Sequence, residues 1–146
     1  MAPTVTDYGW EYFMELAGPG TITKPTTLVV GLHRDSDDNI GDDSDIAAIQ
    51  SEPDGSDYQR QTPDATSWAV AFVNGRFQMV LDGIPFQTGD ATVSAASYFV
   101  AAEFQASGDS SATLHLLLSG PLEGAIDLSV LQSYTLNNAG LFDGDG

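Results

Sequence analysis

The pattern of apolar positions predicts one short helix followed by a series of β-strands. Apolar residues recur at helical spacing from Thr6 to Leu16. Thr6 or Asp7 can cap the first turn, and Gly18-Pro19-Gly20 ends the helix. The helix is very aromatic for its length, with Tyr8, Trp10, Tyr12 and Phe13 on it. These side chains either dock on the domain's own sheet or anchor a neighbouring subunit, since Trp and Tyr are favoured at interfaces.

From Thr26 onward, β-branched and alternating apolar runs separated by Gly, Pro and Asp predict strands. Asn74-Gly75 between two such runs is the strongest short-range hairpin signal. The predicted strands cover residues 27–32, 46–49 (a strand or a turn), 58–62, 68–73, 76–81, 85–86, 98–104, 113–118 and 134–136. Roughly seven to nine short strands with such turns predict a mainly β fold, a β-sandwich or jelly-roll-like domain with a short N-terminal helix.

No internal repeat and no long linker divides the chain. We expect an N-terminal aromatic helical arm over residues 1–20 and a β-sandwich domain over residues 21–146, with a tail that frays from Phe142 onward. The first ten residues hold no basic stretch and no apolar run, so no secretory leader is expected. The longest strongly apolar run, residues 114–118, is far too short to span a bilayer.

Acidic residues dominate the polar positions. The 146 residues carry 21 Asp and Glu against 4 Lys and Arg, a formal net charge of −17. Such a surface repels nucleic acid and anionic membranes, so neither is expected as a partner. Because 42% of the residues are hydrophobic, the chain can still bury a core. The acidity therefore indicates a high-salt habitat, where carboxylates hold water and ions and keep a protein soluble.

The densest acidic stretch, residues 35–45, is a candidate cation site. Its candidate ligands are Asp35, Asp37, Asn39 and Asp42. An EF-hand loop needs Gly at its sixth position and Glu at its twelfth, where this chain has Ile40 and Ile46. A solvated loop is the favoured interpretation, and an irregular site for Ca²⁺ or another cation is the alternative. No other cofactor is expected.

The sequence carries no motif of enzyme chemistry. The chain has no cysteine, which excludes disulfides and thiol nucleophiles. Its two histidines, His33 and His115, lack zinc-site spacing, and no G-x-S-x-G, P-loop or G-x-G-x-x-G appears. We expect His115 to be half-buried and hydrogen-bonded. The prediction is that the chain is not an enzyme, and a hydrolase with a Ser/His/Asp cluster is a less favoured alternative.

Several weak motifs follow one another along most of the chain. They are Pro25–Leu32, the acidic loop, Tyr58-Gln59-Arg60-Gln61, Ile84–Asp90, Leu118–Leu122 and Tyr134–Leu141. In this order they resemble a family of tailed-phage virion proteins, described as tail-fibre-like or minor structural proteins. The resemblance is broken at residues 92–96, where that family has a Trp-Gly segment, and at residues 106–109, where it has a Gly-Gly turn.

The resemblance, taken with the acidity, implies a structural virion protein of a tailed virus that infects a halophilic archaeon. It would reside in the virion and form a symmetric homo-oligomer, a trimer or pentamer. Its partners would be other virion proteins on the capsid surface (decoration, turret or spike base) or in the tail. The alternative is a carbohydrate- or receptor-binding module, with Trp10, Trp68 or Tyr98 stacked on a host-surface glycan.

Tyr58 and Arg60 form the most specific part of the resemblance, and on a strand they share one face. A scarce guanidinium among 21 acids is expected to pair with a carboxylate. That pair lies either within the subunit or across a subunit interface. The predicted interface residues are Tyr8, Trp10, Tyr12, Phe13, Tyr58 and Arg60.

Overall fold

The computed structural model describes residues 4–17, 28–34, 40–63, 68–73, 76–81, 83–87, 94–128, 133–136 and 139–145. They form one α-helix, one 3-10 turn (Ile46–Ala48) and nine strands. The helix is α1 (Asp7–Ala17), and the strands are β1 (Thr4–Val5), β2 (Leu28–His33), β3 (Trp68–Val73), β4 (Arg76–Leu81), β5 (Ile84–Gln87), β6 (Ser94–Phe104), β7 (Thr113–Asp127), β8 (Ser133–Leu136) and β9 (Ala139–Asp145).

All described strand pairs are antiparallel. One sheet has the order β1-β7-β6-β2, a second has the order β3-β4-β9, and β5 pairs with β8. One continuous buried cluster joins side chains from all three groups of strands, for example Leu32, Trp68 and Phe86. The core therefore lies between the four-stranded sheet and the other strands. The prediction of a mainly β, sandwich-like fold with a short N-terminal helix is confirmed.

Helix α1 docks on the chain's own sheet. Thr6 caps it, because its Oγ1 accepts a hydrogen bond from the Gly9 amide at 3.0 Å. The same hydroxyl donates to the Leu116 carbonyl at 2.5 Å, which ties the cap to β7. A Cβ on Gly9 would stand 2.1 Å from the Leu117 carbonyl oxygen. The absence of a side chain at Gly9 is thus what lets the helix approach the strand so closely.

Local signals located several elements correctly. Strands β3 and β4 have the predicted bounds and pair antiparallel, while the predicted turn at Asn74-Gly75 lies outside the described residues. Other elements differ from expectation. Residues 46–48 form a 3-10 turn instead of a strand, and within residues 58–62 only Gln61 makes a bridge, to Val30. The tail expected to fray from Phe142 pairs with β4 as β9 up to Asp145, and β7 runs on to Asp127.

Strand β7 contains a bulge close to His115. Val100 and Ala101 are adjacent on β6, but their partners Leu118 and Leu116 are two residues apart on β7, so Leu117 is the extra residue. His115 lies opposite Ala102. Strict alternation predicts that His115 and Leu117 share a face, and they do: His115 contacts Phe104 of the main buried cluster, to which Leu117 also belongs, whereas Leu116 packs with Phe99 on the other face. The bulge interrupts the alternation only beyond this point, where Leu117 and Leu118 both belong to the main cluster.

Residues 40–63, here called the crossing segment, cover the second face of the four-stranded sheet. Three apolar side chains of this segment pack against a buried pair on that face. The contacting residues are Ile40, Ile46 and Ile49, against Phe99 and Leu116. The segment also covers the β2 edge. There, Val30 N donates to Gln61 O at 2.8 Å, Leu32 N to Tyr58 Oη at 3.0 Å, and Arg34 N to Ser51 Oγ at 3.0 Å. The segment thereby removes an open strand edge.

Candidate functional site

The most concentrated polar cluster in the described residues surrounds His115. This side chain is buried, with 5% of its surface exposed. Its Nδ1 lies 2.9 Å from Asp45 Oδ2, and its Nε2 lies 2.6 Å from Asp109 Oδ2. Thr113 Oγ1 lies 3.0 Å from the same Nε2. Both ring nitrogens of one histidine are therefore engaged by carboxylates. The expectation of a hydrogen-bonded His115 is met, with deeper burial than the half-buried state predicted.

Backbone amides hold both carboxylates in place. Asp45 Oδ1 accepts hydrogen bonds from Ile46 N at 2.8 Å and from Leu116 N at 3.0 Å. The same carboxylate thus caps the 3-10 turn and covers an edge amide of β7. Asp109 Oδ2 accepts a hydrogen bond from Ala106 N at 3.1 Å within its own turn. Each carboxylate reaches His115 from a separate, locally ordered loop.

Aromatic rings enclose the imidazole. The Tyr8 ring from α1 stacks on it with ring centroids 4.0 Å apart and an interplanar angle of 15°. Phe104 from β6 meets it edge-on, with centroids 5.4 Å apart. The rings bury the imidazole, whereas the side chains of Asp45 and Asp109 stay 34% and 24% exposed. The cluster therefore ties α1, β6, β7 and two loops together at one point.

Opposing effects set the protonation of His115. Burial lowers its pKa, but hydrogen bonds and the charges of Asp109 and Asp45 outweigh burial and raise the pKa above its ordinary 6.5. The hydrogen bond from His115 holds the pKa of Asp109 below its ordinary 3.8, with a further contribution from the Ala106 amide. The two carboxylates thus favour the imidazolium over the neutral ring.

A second polar cluster lies at the β2 edge and contains Tyr58 and Arg60. Tyr58 Oη donates to Glu52 Oε2 at 2.9 Å and accepts from the Leu32 amide. Arg60 Nε lies 3.0 Å from both Glu52 oxygens, and its Nη2 lies 2.5 Å from Oε1. The expected carboxylate partner of Arg60 is thus Glu52, and the pair lies within the subunit.

Arg60 and Tyr58 differ in environment although they share this carboxylate. The Arg60 guanidinium lies 5.3 Å from the Phe99 ring centroid, a cation–π contact, and its side chain is 35% exposed. The hydrogen bond to Glu52 raises the pKa of Arg60. Burial, reinforced by the charge of Glu52, raises the pKa of Tyr58. Arg60 therefore keeps its charge and Tyr58 its proton throughout the physiological range.

The other histidine lies inside the four-stranded sheet. His33 Nε2 is 2.7 Å from Ser119 Oγ, and the two residues are 0% and 5% exposed. A serine beside a histidine is the beginning of a hydrolase site, but a nucleophile must reach its substrate. Burial of both side chains makes this contact a part of the core.

The predicted interface residues fall into two groups. Tyr12 and Phe13 are completely buried within the chain, and Tyr58 is 9% exposed. For Tyr12 and Phe13, docking on the domain's own sheet is the alternative that the structure shows. Tyr8 and Trp10 are partly buried against the core, and Met14 on the same helix is 51% exposed. An interface through the outer side of α1 stays a prediction.

Three predicted metal ligands, Asp35, Asp37 and Asn39, lie outside the described residues. Asp42 is exposed, and its carbonyl oxygen accepts a hydrogen bond from the Asp7 amide at 2.8 Å. Among the residues that the structure describes, no group of three or more His, Asp or Glu side chains is arranged to hold a metal ion. The cation site over residues 35–45 stays a prediction.

Sequence reasoning missed three carboxylates that organise these clusters: Asp45, Asp109 and Glu52. Glu52 lies eight residues from Arg60, whereas Asp45 lies 70 residues from His115. With 21 acids in the chain, spacing alone could not select them. A buried histidine in so acidic a chain was nevertheless a signal that a carboxylate should be sought beside it.

Comparison of the chain with models of known protein families, with curated proteins and with solved structures gives no match in any of the three. Among the described residues, no helix has both the length and the apolar character needed to cross a bilayer.

Proposed function

We propose that this chain is a structural virion protein of a tailed virus that infects a halophilic archaeon. In this role it assembles as a symmetric homo-oligomer, a trimer or pentamer, with other virion proteins on the capsid surface or in the tail. The proposal rests on the net charge of −17 carried by a sandwich-like β domain. The ordered motif resemblance around Tyr58 and Arg60 supports the placement in a virion.

The buried polar groups support a structural role. In the described part of the chain, every buried side-chain nitrogen and oxygen has a hydrogen-bond partner. His115 is bonded to Asp45 and Asp109, and His33 to Ser119. These hydrogen bonds join separate elements of the fold. The only serine bonded to a histidine among the described contacts, Ser119 beside His33, is buried with it, which favours a scaffold over the hydrolase alternative.

The covered sheet edge supports a closed assembly. Amides of β2 that could recruit a strand from another copy are bonded to the crossing segment instead. Association through side-chain surfaces gives closed rings more readily than edge-to-edge strand pairing, which continues without limit. The acidic copies approach one another only when salt screens their charge, because the Debye length is about 3 Å at 1 M and about 10 Å at 0.1 M.

Of the three aromatic rings predicted to stack on a glycan, only one is not buried in the core. Trp68 and Tyr98 are each 4% exposed and belong to the core, so they offer no face to a sugar. Trp10 is only partly buried. Glycan-array binding that disappears in Trp10→Ala would favour this function over the structural one.

The oligomer is tested by light scattering coupled to size exclusion, from molar NaCl down to about 0.1 M. We expect a trimer or pentamer in molar salt that dissociates or loses thermal stability as salt falls. Met14→Glu adds a charge on the exposed side of α1 and should weaken the oligomer, whereas Ala47→Glu, at another exposed position, serves as control. A monomer at every salt concentration would contradict the proposal.

The location is tested on purified virus particles. Mass spectrometry should detect the chain in particles washed in molar salt, and a cryo-EM reconstruction should contain the β domain at a symmetry axis of capsid or tail. Absence of the chain from intact particles would remove the virion role while leaving the oligomer result unchanged.

A further inference from the structure

Two carboxylates from distant parts of the chain share one imidazole. Asp45 belongs to the crossing segment, and Asp109 belongs to residues 105–112, here called the β6–β7 loop. Only a protonated imidazole donates from both nitrogens. A neutral ring would set one nitrogen lone pair against a carboxylate oxygen at 2.6 or 2.9 Å. Both bonds therefore persist together only while His115 carries its second proton.

Thr113 determines which bond is lost when that proton leaves. Its Oγ1 lies 3.0 Å from His115 Nε2 and 3.4 Å from Asp109 Oδ2. In the neutral ring the Thr113 hydroxyl can donate to Nε2, while Nδ1–H continues to donate to Asp45. Asp109 Oδ2 then loses the imidazole and keeps the hydrogen bond from the Ala106 amide within its own turn. The neutral state thus has one favoured tautomer, with the hydrogen on Nδ1.

The β6–β7 loop has a second attachment, to helix α1. Ser107 N donates to Glu11 Oε1 at 2.9 Å, and Ser107 Oγ donates to the same oxygen. Asp109 and Ser107 thus hold one loop between His115 and α1. The Ser107–Glu11 contact is exposed, so by itself it holds the loop weakly.

The charged and titratable groups around His115 come from three elements. Asp45 faces it from the crossing segment, Asp109 from the β6–β7 loop, and the Tyr8 phenol from α1. The described contacts from β6 and β7 are the apolar Phe104 and the neutral Thr113. Two negative charges therefore dominate the surroundings of the ring.

We propose that His115 is a protonation-dependent latch on the β6–β7 loop. When Nε2 gives its proton to solvent, the Thr113 hydroxyl turns to Nε2, Asp45 stays bound, and Asp109 is released together with the hold of the loop on α1. The raised pKa of His115 places this release on the alkaline side of 6.5. In the acid direction the latch stays closed until Asp109 is protonated.

Nitrogen-15 NMR of the imidazole rings tests the latch directly in the unmodified chain at constant molar salt. His33→Gln assigns the two histidines, since it removes one set of signals and leaves His115 in place. We expect His115 to titrate with a midpoint above 6.5 and to become the Nδ1–H tautomer. A midpoint at or below 6.5, or an Nε2–H tautomer, would overturn the proposal.

Amide hydrogen exchange tests the release of the loop. After correction for the intrinsic effect of pH, exchange at Ser107 should accelerate several-fold as pH rises through the His115 midpoint, while exchange at Leu116, whose amide is held by Asp45, stays constant. In Asp109→Asn the Ser107 exchange should be fast at every pH, and the His115 midpoint should move down. Parallel changes at Ser107 and Leu116, or no change at either, would contradict a selective latch.

Discussion

The crossing segment is fastened at two ends, and the two fastenings differ in chemistry. At the β7 end, Asp45 bonds a buried histidine enclosed by Tyr8 and Phe104. At the β2 end, Glu52 bonds a partly exposed Arg60. Histidine changes charge near neutral pH and arginine does not. One segment therefore combines a fastening that responds to pH with one that is permanent.

The contacts at the β7 end require the close approach of α1 to the strand. Disrupting this approach should cause the largest loss of stability among the variants considered. In Gly9→Ala, a Cβ at 2.1 Å from the Leu117 carbonyl oxygen would push the helix off the strand. We expect a loss of about 3 kcal/mol in the free energy of unfolding. Gly124→Ala is the control, since a Cβ there meets nothing within 4 Å. Urea denaturation in molar salt measures both, and equal stabilities would refute the close-contact explanation.

Each end of the crossing segment also has a tyrosine, and we expect the hydroxyl groups of the two tyrosines to contribute differently to stability. Tyr58→Phe removes the hydroxyl that bonds both Glu52 and the Leu32 amide, and we expect it to cost about 1–2 kcal/mol. Tyr8→Phe keeps the ring stacked on His115. The described contacts include no hydrogen bond of the Tyr8 hydroxyl, so its cost should stay within about 0.5 kcal/mol. Thermal denaturation that finds the two variants equal would contradict this contrast.

The sequence predicted the parts of this architecture that rest on local signals. Asn74-Gly75 located the β3–β4 hairpin, and Thr6 was one of two candidate caps for α1. The carboxylate contacts at the two ends of the crossing segment were not predicted, and the one at the β7 end joins residues far apart in the sequence. Asp45 and His115 are 70 residues apart, and any of the other acids could have filled the same place.

The bulge at Leu117 could not be predicted from the sequence because it also depends on a contact between separate parts of the chain. It arises where the β7 register shifts against β6, and periodicity within β7 alone does not contain the partner strand. Strand β9 was missed because its Gly and Asp content is typical of a frayed tail, whereas pairing with β4 decides its structure. Local residue preferences yielded to tertiary pairing in both places.

The pH dependence of stability should distinguish the β7 end of the crossing segment from its β2 end. The folded-state pKa of His115 is raised, so its contribution is complete below about pH 6.5 and is lost as pH rises through the folded value. The folded-state pKa of Asp109 is lowered, so its contribution is present above about pH 3.8 and is lost as pH falls through the folded value. Stability of the β7 end is therefore greatest between these limits.

Two variants test whether the pH dependence of stability arises at the β7 end or at the β2 end. His115→Gln should remove the alkaline decline in the free energy of unfolding, whereas Glu52→Gln should lower stability by a similar amount at each pH and leave the decline intact. Denaturation of both variants from about pH 5 to about pH 9 at constant salt gives the comparison. A decline that survives in His115→Gln would assign it to another group.

A small effect is also expected for the charge at the β2 end. Arg60→Lys keeps the positive charge but loses the paired contacts of the guanidinium with Glu52, and a partly exposed pair contributes less than about 1 kcal/mol. A double-mutant cycle with Glu52→Gln isolates that contribution from the loss at Tyr58. Because molar salt screens exposed charges, the coupling should shrink between about 0.1 M and about 1 M NaCl. A coupling that grows with salt would contradict an ionic origin of the Glu52–Arg60 contact.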